Sequence, residues 1–286
     1  MASYGYYRYQ PNTAAAGIFA VLFAIPTFYH CFQCFRTRTW YFIPLIVGGF
    51  FETIGYVARA ISSTKVDDLG SYIVQMLTIL IAPSLFAASM YMLLGRLMQV
   101  AGGERHSLIP RRFLTKVFVV GDVVAFLLQC GGGGIVAAAI FDTSGARDAD
   151  KMKLGEKVIE AGLFVQLIFF GFFLVIGSWW KRGIEKDNER APGSSSSSSS
   201  EPGVAWRKHF WVLMGASSLV FLRCVFRVVE YMSGRGAEFQ NQEWFVYVFD
   251  AVLMLGVVVL FNVVHPSEVT RMLKQADADV RGTELA

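Results

Sequence analysis

The chain has 286 residues, 54% of them hydrophobic and 17% charged, with a mean hydropathy of +0.46 and a formal net charge of +4. Soluble domains carry about 25% charge, so this composition excludes an ordinary soluble domain and points to a chain solvated by lipid. The small positive balance reads as membrane topology, and nothing in it suggests nucleic-acid binding.

Before the first apolar run stands Tyr4-Gly-Tyr6-Tyr7-Arg8-Tyr9. It has no basic n-region or small-residue cleavage site, so it does not read as a removable signal peptide; its tyrosines suit an interfacial aromatic belt. A helix needs about 20 mostly apolar residues to cross a bilayer, because backbone polar groups must be satisfied internally. Seven runs meet that length, at approximately Ala14–Phe35, Tyr41–Ser62, Ser71–Val100, Lys116–Phe141, Leu154–Trp180, Phe210–Met232 and Trp244–Val264. The third is long enough to tilt or to project beyond the bilayer. An all-α, seven-helix membrane domain spanning residues 1–286 is the expectation.

Several local features follow along these runs. Cys31 and Cys34 form a C-x-x-C without a second pair at zinc spacing, and read as small packing residues, as do Cys130 and Cys224. Pro26 and Pro83 fall inside runs one and three, where each removes an N–H and frees a carbonyl. Gly131 to Gly134 would weaken the fourth helix by roughly 1 kcal/mol each relative to alanine, which implies tight packing, a bend or a ligand surface. Between runs five and six, residues 183–203 are polar and include the serine run 194–200, so a flexible linker is expected there. The tail 267–286 reads as either a short amphipathic surface helix or a disordered segment. Trp179, Trp180, Trp206, Trp211 and Trp244, near run ends, fit an aromatic belt.

The Lys and Arg distribution sets an orientation. Fifteen of the 26 lie in the first, third and fifth loops and the tail, among them Arg36, Arg111, Lys116, Lys181 and Arg271. Seven lie on the opposite side, so the positive-inside bias puts the N-terminus outside and the C-terminus in the cytoplasm. The remaining four, Arg59, Arg96, Arg223 and Arg227, lie within the spans.

Ionisable groups at membrane depth are costly and normally face the bundle interior, so they carry the functional argument. Glu52, Tyr56 and Arg59 fall at i, i+4 and i+7 on helix two, and Arg223, Arg227 and Glu230 repeat that spacing on helix six. Asp250 on helix seven, Gln75 on helix three and Glu160 on helix five come to a similar height, with Gln166 further along helix five and Gln129 beside the glycines of helix four. Together they suggest a polar cavity in the outer half of the bundle that holds an amphiphile's head group. The alternative is an ion-pair scaffold with pairs such as Arg227–Asp250 and Arg59–Glu52. A second polar set lies at the other end: His30, Arg96, Asp122, Asn262 and His265. Its histidines and carboxylate have the ligand types of a zinc site but no H-x-x-x-H anchor, and an Arg96–Asp122 link with His265 as a helix cap is the plainer expectation. No metal or other cofactor is assigned.

These residues also resemble a family. Glu52-Thr-Ile-Gly-Tyr56-Val-Ala-Arg59, Gln75, Ala82-Pro83, Leu94-Gly95-Arg96, Gly121-Asp122 and Gln129-Cys-Gly-Gly-Gly-Gly134 are similar to motifs of the fungal lipid-translocating exporters, the RTA1-like seven-helix proteins. Gly162-Leu163 with Gln166, Arg223-Cys-Val-Phe-Arg227-Val-Val-Glu230-Tyr231, Asp250 and Asn262-Val-Val-His265-Pro266 continue the likeness in order, over roughly residues 10 to 267. Ser267 departs from it, standing where glycine would follow the His-Pro pair.

The resemblance implies a membrane protein that moves amphipathic lipids such as sphingoid long-chain bases and confers resistance to toxic amphiphiles, with the plasma membrane as expected address and an internal membrane as alternative. No G-x-x-x-x-G-K-[ST] motif occurs, so movement would be facilitated, ion-coupled or indirect rather than driven by ATP binding to this chain. Two other classes remain open. One is a seven-helix sensor acting on a cytoplasmic regulator through its basic loops, although D-R-Y and N-P-x-x-Y signatures are missing. The other is a metal-dependent lipid hydrolase built on His30, Asp122 and His265.

Overall fold

Apolar stretches this long can satisfy their backbone only as helices, and a computed structural model of the chain is helical throughout its described elements. It describes residues 12–65, 68–101, 107, 110–140, 149–190, 202–233 and 243–284. Helix α1 covers Thr13–Thr37, and a 3-10 turn, Trp40–Phe42, leads into α2, Ile43–Thr64. Then come α3, Leu69–Val100; α4, Arg111–Ile140; α5, Ala149–Arg190; α6, Pro202–Met232; and α7, Trp244–Val263. The tail helix α8 covers Ser267–Glu284. The first seven are all long and apolar enough to cross a membrane.

Start signals are local. The Asn12 side chain accepts from the Ala15 amide to cap α1, and Asp68 accepts from Gly70 to cap α3. The helices alternate in direction. At the end where α1 begins, here the N-terminal end, Thr13 meets Ser63 of α2, and the Asn12 amide donates to Glu243, just before α7. At the opposite, C-terminal end, Tyr41 donates to the carbonyl of Pro266, between α7 and α8. Helix α3 lies innermost, with 56% of its most apolar stretch buried against 28% for α1. Its neighbours are α2, α4, α6 and α8.

The core is mainly aromatic and aliphatic, including Phe86, Tyr91, Phe118, Phe170, Phe173, Trp180, Phe210 and Phe261. Outward faces are equally apolar: Ile18, Ile25, Phe28, Leu127, Ile168 and Val263 are exposed, as lipid-facing residues must be. Small residues bring helices close. A Cβ on Gly132 of α4 would lie 2.6 Å from the carbonyl oxygen of Gly155 on α5, and one on Gly162 would lie 2.7 Å from that of Ala125. The other glycines of the quartet meet no such wall, since rotation along the helix turns Gly131 and Gly134 to open space.

Three expectations change. Residues 183–190 belong to α5 and do not form a flexible linker: Ile184 is buried, and Glu185 pairs with Lys181 one turn back at 3.2 Å and with Arg207 of α6 at 3.1 Å. Helix α6 likewise begins at Pro202, and the serine run lies outside the described residues, as do the N-terminal tyrosines. The tail is the helical alternative, with Val269 and Leu273 buried four residues apart on one face. Finally, Trp180 and Trp206 are core residues on the α5–α6 seam, 5.5 Å apart by ring centroid, whereas Trp179, Trp211 and Trp244 remain exposed.

Candidate functional site

The N-terminal half of the bundle gathers charges from α2, α6 and α7. Arg223 and Arg227, one turn apart on α6, both reach Asp250: Arg223 through Nε to Oδ1, and Arg227 through Nη2 to Oδ2 at 2.6 Å. Arg227 also donates to Glu230 at 3.2 Å. One carboxylate thus bridges two guanidiniums, and Arg223 and Asp250 are each only 2% exposed at the side chain. At this depth water does not screen the charges, so the attraction is strong and each partner is indispensable to the other.

Backbone irregularity on two helices shapes this cluster. Residues Tyr247–Val252 form a π-helical turn within α7, and Asp250 lies inside it. Such turns insert an extra residue and re-aim side chains, frequently at functional positions. On α3, Pro83 has no N–H for the carbonyl four residues earlier, that of Ile79. Arg223 Nη2 donates to that oxygen at 3.2 Å. The sequence signals a freed carbonyl at Pro83 but not the arginine that fills it.

Arg59 is one helical turn or more closer to the N-terminal end. It does not pair with Glu52, as its spacing suggested. It donates to Glu243 at 2.8 Å and to the Tyr247 hydroxyl at 3.2 Å, and Tyr247 in turn donates to Glu243 at 3.1 Å. Arg59 sits seven residues past Glu52, nearly two turns along the axis, so it meets the start of α7 while Glu52 stays deeper. Glu243 and Tyr247 were not among the candidate residues. Yet Glu243, Tyr247 and Asp250 repeat the i, i+4, i+7 spacing of Glu52, Tyr56 and Arg59, and that repetition was the available signal.

Glu52 is thereby left over. It is 1% exposed, both of its carboxyl oxygens lack a hydrogen-bond partner, and the Tyr56 hydroxyl one turn on is unpartnered too. Glu52 is within electrostatic reach of Asp250, Arg223 and Arg227. The Tyr56 ring stacks on Phe23 at 5.5 Å and lies 6.2 Å from Tyr247. Buried polar atoms are satisfied in the great majority of cases; single unpartnered atoms occur elsewhere, at Thr27, Ser62 and Asp122 among others, but three fall together on one turn of α2. Of the remaining candidates, Gln75 is buried on α3, and Gln129 donates to Gln166 at 3.1 Å across the α4–α5 seam.

At the C-terminal end the second polar set separates into three. His30 and His265 rings lie 5.8 Å apart; His30 Nε2 meets the carbonyl of Val258 at 3.2 Å, and Asn262 donates to the carbonyl of Pro26 at 3.0 Å. His265 Nδ1 accepts from the Ser267 amide at the start of α8. Burial and the neighbouring His209 hold His265 down at about 4. Asp122 is elsewhere, accepting from Tyr91 at 2.9 Å, and Arg96 does not pair with it but stacks on Tyr41. Tyr91 projects from the centre of the aromatic core and reaches Asp122 first. Hence His30, Asp122 and His265 do not converge, and no group of three metal-ligating side chains occurs among the described residues. His209, absent from the candidates, meets Glu268 at 2.8 Å and ties α6 to α8. Partial burial works to raise the Glu268 carboxyl, but the bond to His209 with Lys208 and Arg271 nearby outweighs it and leaves it below the usual range.

Comparison with known proteins agrees with these motifs. The family described as RTA1 like protein matches residues 45–272. Protoporphyrin uptake protein 1 of Saccharomyces cerevisiae is 34% identical over 90% of this chain and 90% of its own length, and Protein RTA1 of the same yeast is 31% identical over 91% and 84%. A yeast protein named sphingoid long-chain base transporter RSB1 is 26% identical over 90% of this chain and 72% of its own. No solved structure matches. With seven apolar helices and these relatives, the chain is an integral membrane protein of the RTA1-like family.

Proposed function

We propose that this protein is a non-enzymatic translocator of amphipathic lipids, of the sphingoid long-chain-base kind, and that it confers resistance to such amphiphiles at the plasma membrane. The observation that carries this reading is the unpartnered set on α2: two oxygens of Glu52 and the hydroxyl of Tyr56, buried beside the Arg223–Asp250–Arg227 bridge. An ammonium with an adjacent hydroxyl supplies what these atoms lack, a cation and a hydrogen-bond donor and acceptor. Arg59, Arg223, Arg227, Glu230 and Asp250 set the surrounding field, while the acyl chain stays in lipid. The names of two relatives, a long-chain-base transporter and a porphyrin uptake protein, support an amphiphilic cargo.

Entry is from the N-terminal end, where the side chains of Arg227, Glu230 and Glu243 keep 20%, 13% and 14% exposure. Binding there requires α7 to part from α2 and α6, and the π-helical turn is the natural place for that change. The enclosure of Arg223 and Asp250 favours a second reading, a sensor in which the network reports lipid state without passing cargo.

Flipping of a labelled long-chain base in liposomes separates the two. The purified protein is expected to accelerate flipping, and Glu52→Gln to slow it about tenfold, the cost of one charge-assisted bond. A rate at background for the wild-type protein would leave only the sensor.

A further inference from the structure

Arg96, near the end of α3, meets no acid among the described residues. Its guanidinium carbon lies 3.9 Å from the centroid of the Tyr41 ring, and no hydrogen bond or ion pair joins it to another described residue. Stacking engages the flat face of the guanidinium and leaves the N–H donors in its plane available. The Tyr41 hydroxyl is held by the carbonyl of Pro266, so the ring is a fixed platform.

Those donors border a groove of about 270 Å³ lined by Tyr41, Met92, Gly95, Arg96, Gln99 and Thr115. Gln99 and Thr115 add an amide and a hydroxyl. Among the described residues no carboxylate lines the groove, and exposed Lys116 follows Thr115 directly. Beside these residues in the chain stand Trp40 and Phe113, 50% and 45% exposed. A cationic, hydrogen-bonding groove edged by exposed aromatic residues is the composition of a membrane–water boundary.

We propose that this groove binds a phosphate group, gripped in plane by Arg96, and that the group comes from the head of an anionic phospholipid in the adjoining leaflet. The site is separate from the α2–α6–α7 network and stands whether or not that network carries cargo.

The test uses full-length purified protein. Native mass spectrometry compares retention of phosphatidate with that of diacylglycerol, which lacks only the phosphate. A parallel arm measures thermal unfolding with inorganic phosphate. Wild-type protein is expected to prefer phosphatidate, and Arg96→Gln to bind it about tenfold more weakly. Stabilisation by inorganic phosphate that Arg96→Gln abolishes would support the same site with a soluble source. Thr115→Leu fills the groove while leaving the Arg96–Tyr41 stack, and is expected to cut retention as well; it decides the matter if Arg96→Gln misfolds. Equal retention of the two lipids without a phosphate effect, or undiminished phosphatidate binding in Thr115→Leu, would overturn the site.

Discussion

Two interhelix junctions, one at each end of the bundle, are closed by different chemistry; other ion pairs at the C-terminal end join α6 to α5 and α8. At the N-terminal end, α2, α6 and α7 meet through charges, Arg59 with Glu243 and Arg223 and Arg227 with Asp250. At the C-terminal end, α1, the 3-10 turn and α7 meet through neutral side chains on backbone carbonyls: His30 on Val258, Asn262 on Pro26, Tyr41 on Pro266. A charge pair can exchange partners with an incoming ion, whereas a bond to a carbonyl of the neighbouring helix can only break. The difference teaches that the α2–α6–α7 junction depends on charge balance and the α1–α7 junction on backbone complementarity.

The largest expected effect lies at the charged end. Asp250→Asn leaves buried Arg223 and partly exposed Arg227 short of their shared counter-ion, and should cost about 3–5 kcal/mol, read as a large loss of thermal stability in detergent or nanodiscs. An unchanged midpoint would mean that the arginines find other acids, and the contrast between the ends would fall. A smaller loss, about 1 kcal/mol, is expected for Asn262→Ala, which removes one side-chain bond between α7 and α1. If that substitution proved as damaging as Asp250→Asn, the neutral junction would be as critical as the charged one.

The mildest test is acidification. His265 has its folded value lowered to about 4 from 6.5, so the folded state disfavours its proton. Its stabilising contribution is complete above 6.5 and fades as pH falls from there towards 4. Unfolding midpoints across that window should drop in the wild-type protein and drop less in His265→Gln; parallel curves would remove His265 from the account.

The seven helices were legible because lipid imposes an unbroken apolar length that few sequences satisfy by accident. The charged site was legible as height and face, since i, i+4, i+7 spacing is a property of one helix. Partner choice was not. Arg59 passes over Glu52 because pairing depends on how α7 is set against α2, and Glu243 escaped attention because it stands just before the apolar run. Likewise, Trp180 and Trp206 near run ends look interfacial until the α5–α6 seam is known. Composition alone makes the polar residues 183–190 look like linker, but a buried Ile184 and the pairs of Glu185 continue the helix.

The Ile79 carbonyl that Arg223 occupies also makes α3 a jointed lever. Pro83 leaves one rung missing about midway between Leu69 and Val100, and the far arm ends near Arg96. While Arg223 holds both that oxygen and Asp250, the joint is stiff. Withdrawing Arg223 would leave that oxygen without its donor, so one side chain ties the ion pairs at one face of the bundle to the break in the helix that reaches the other.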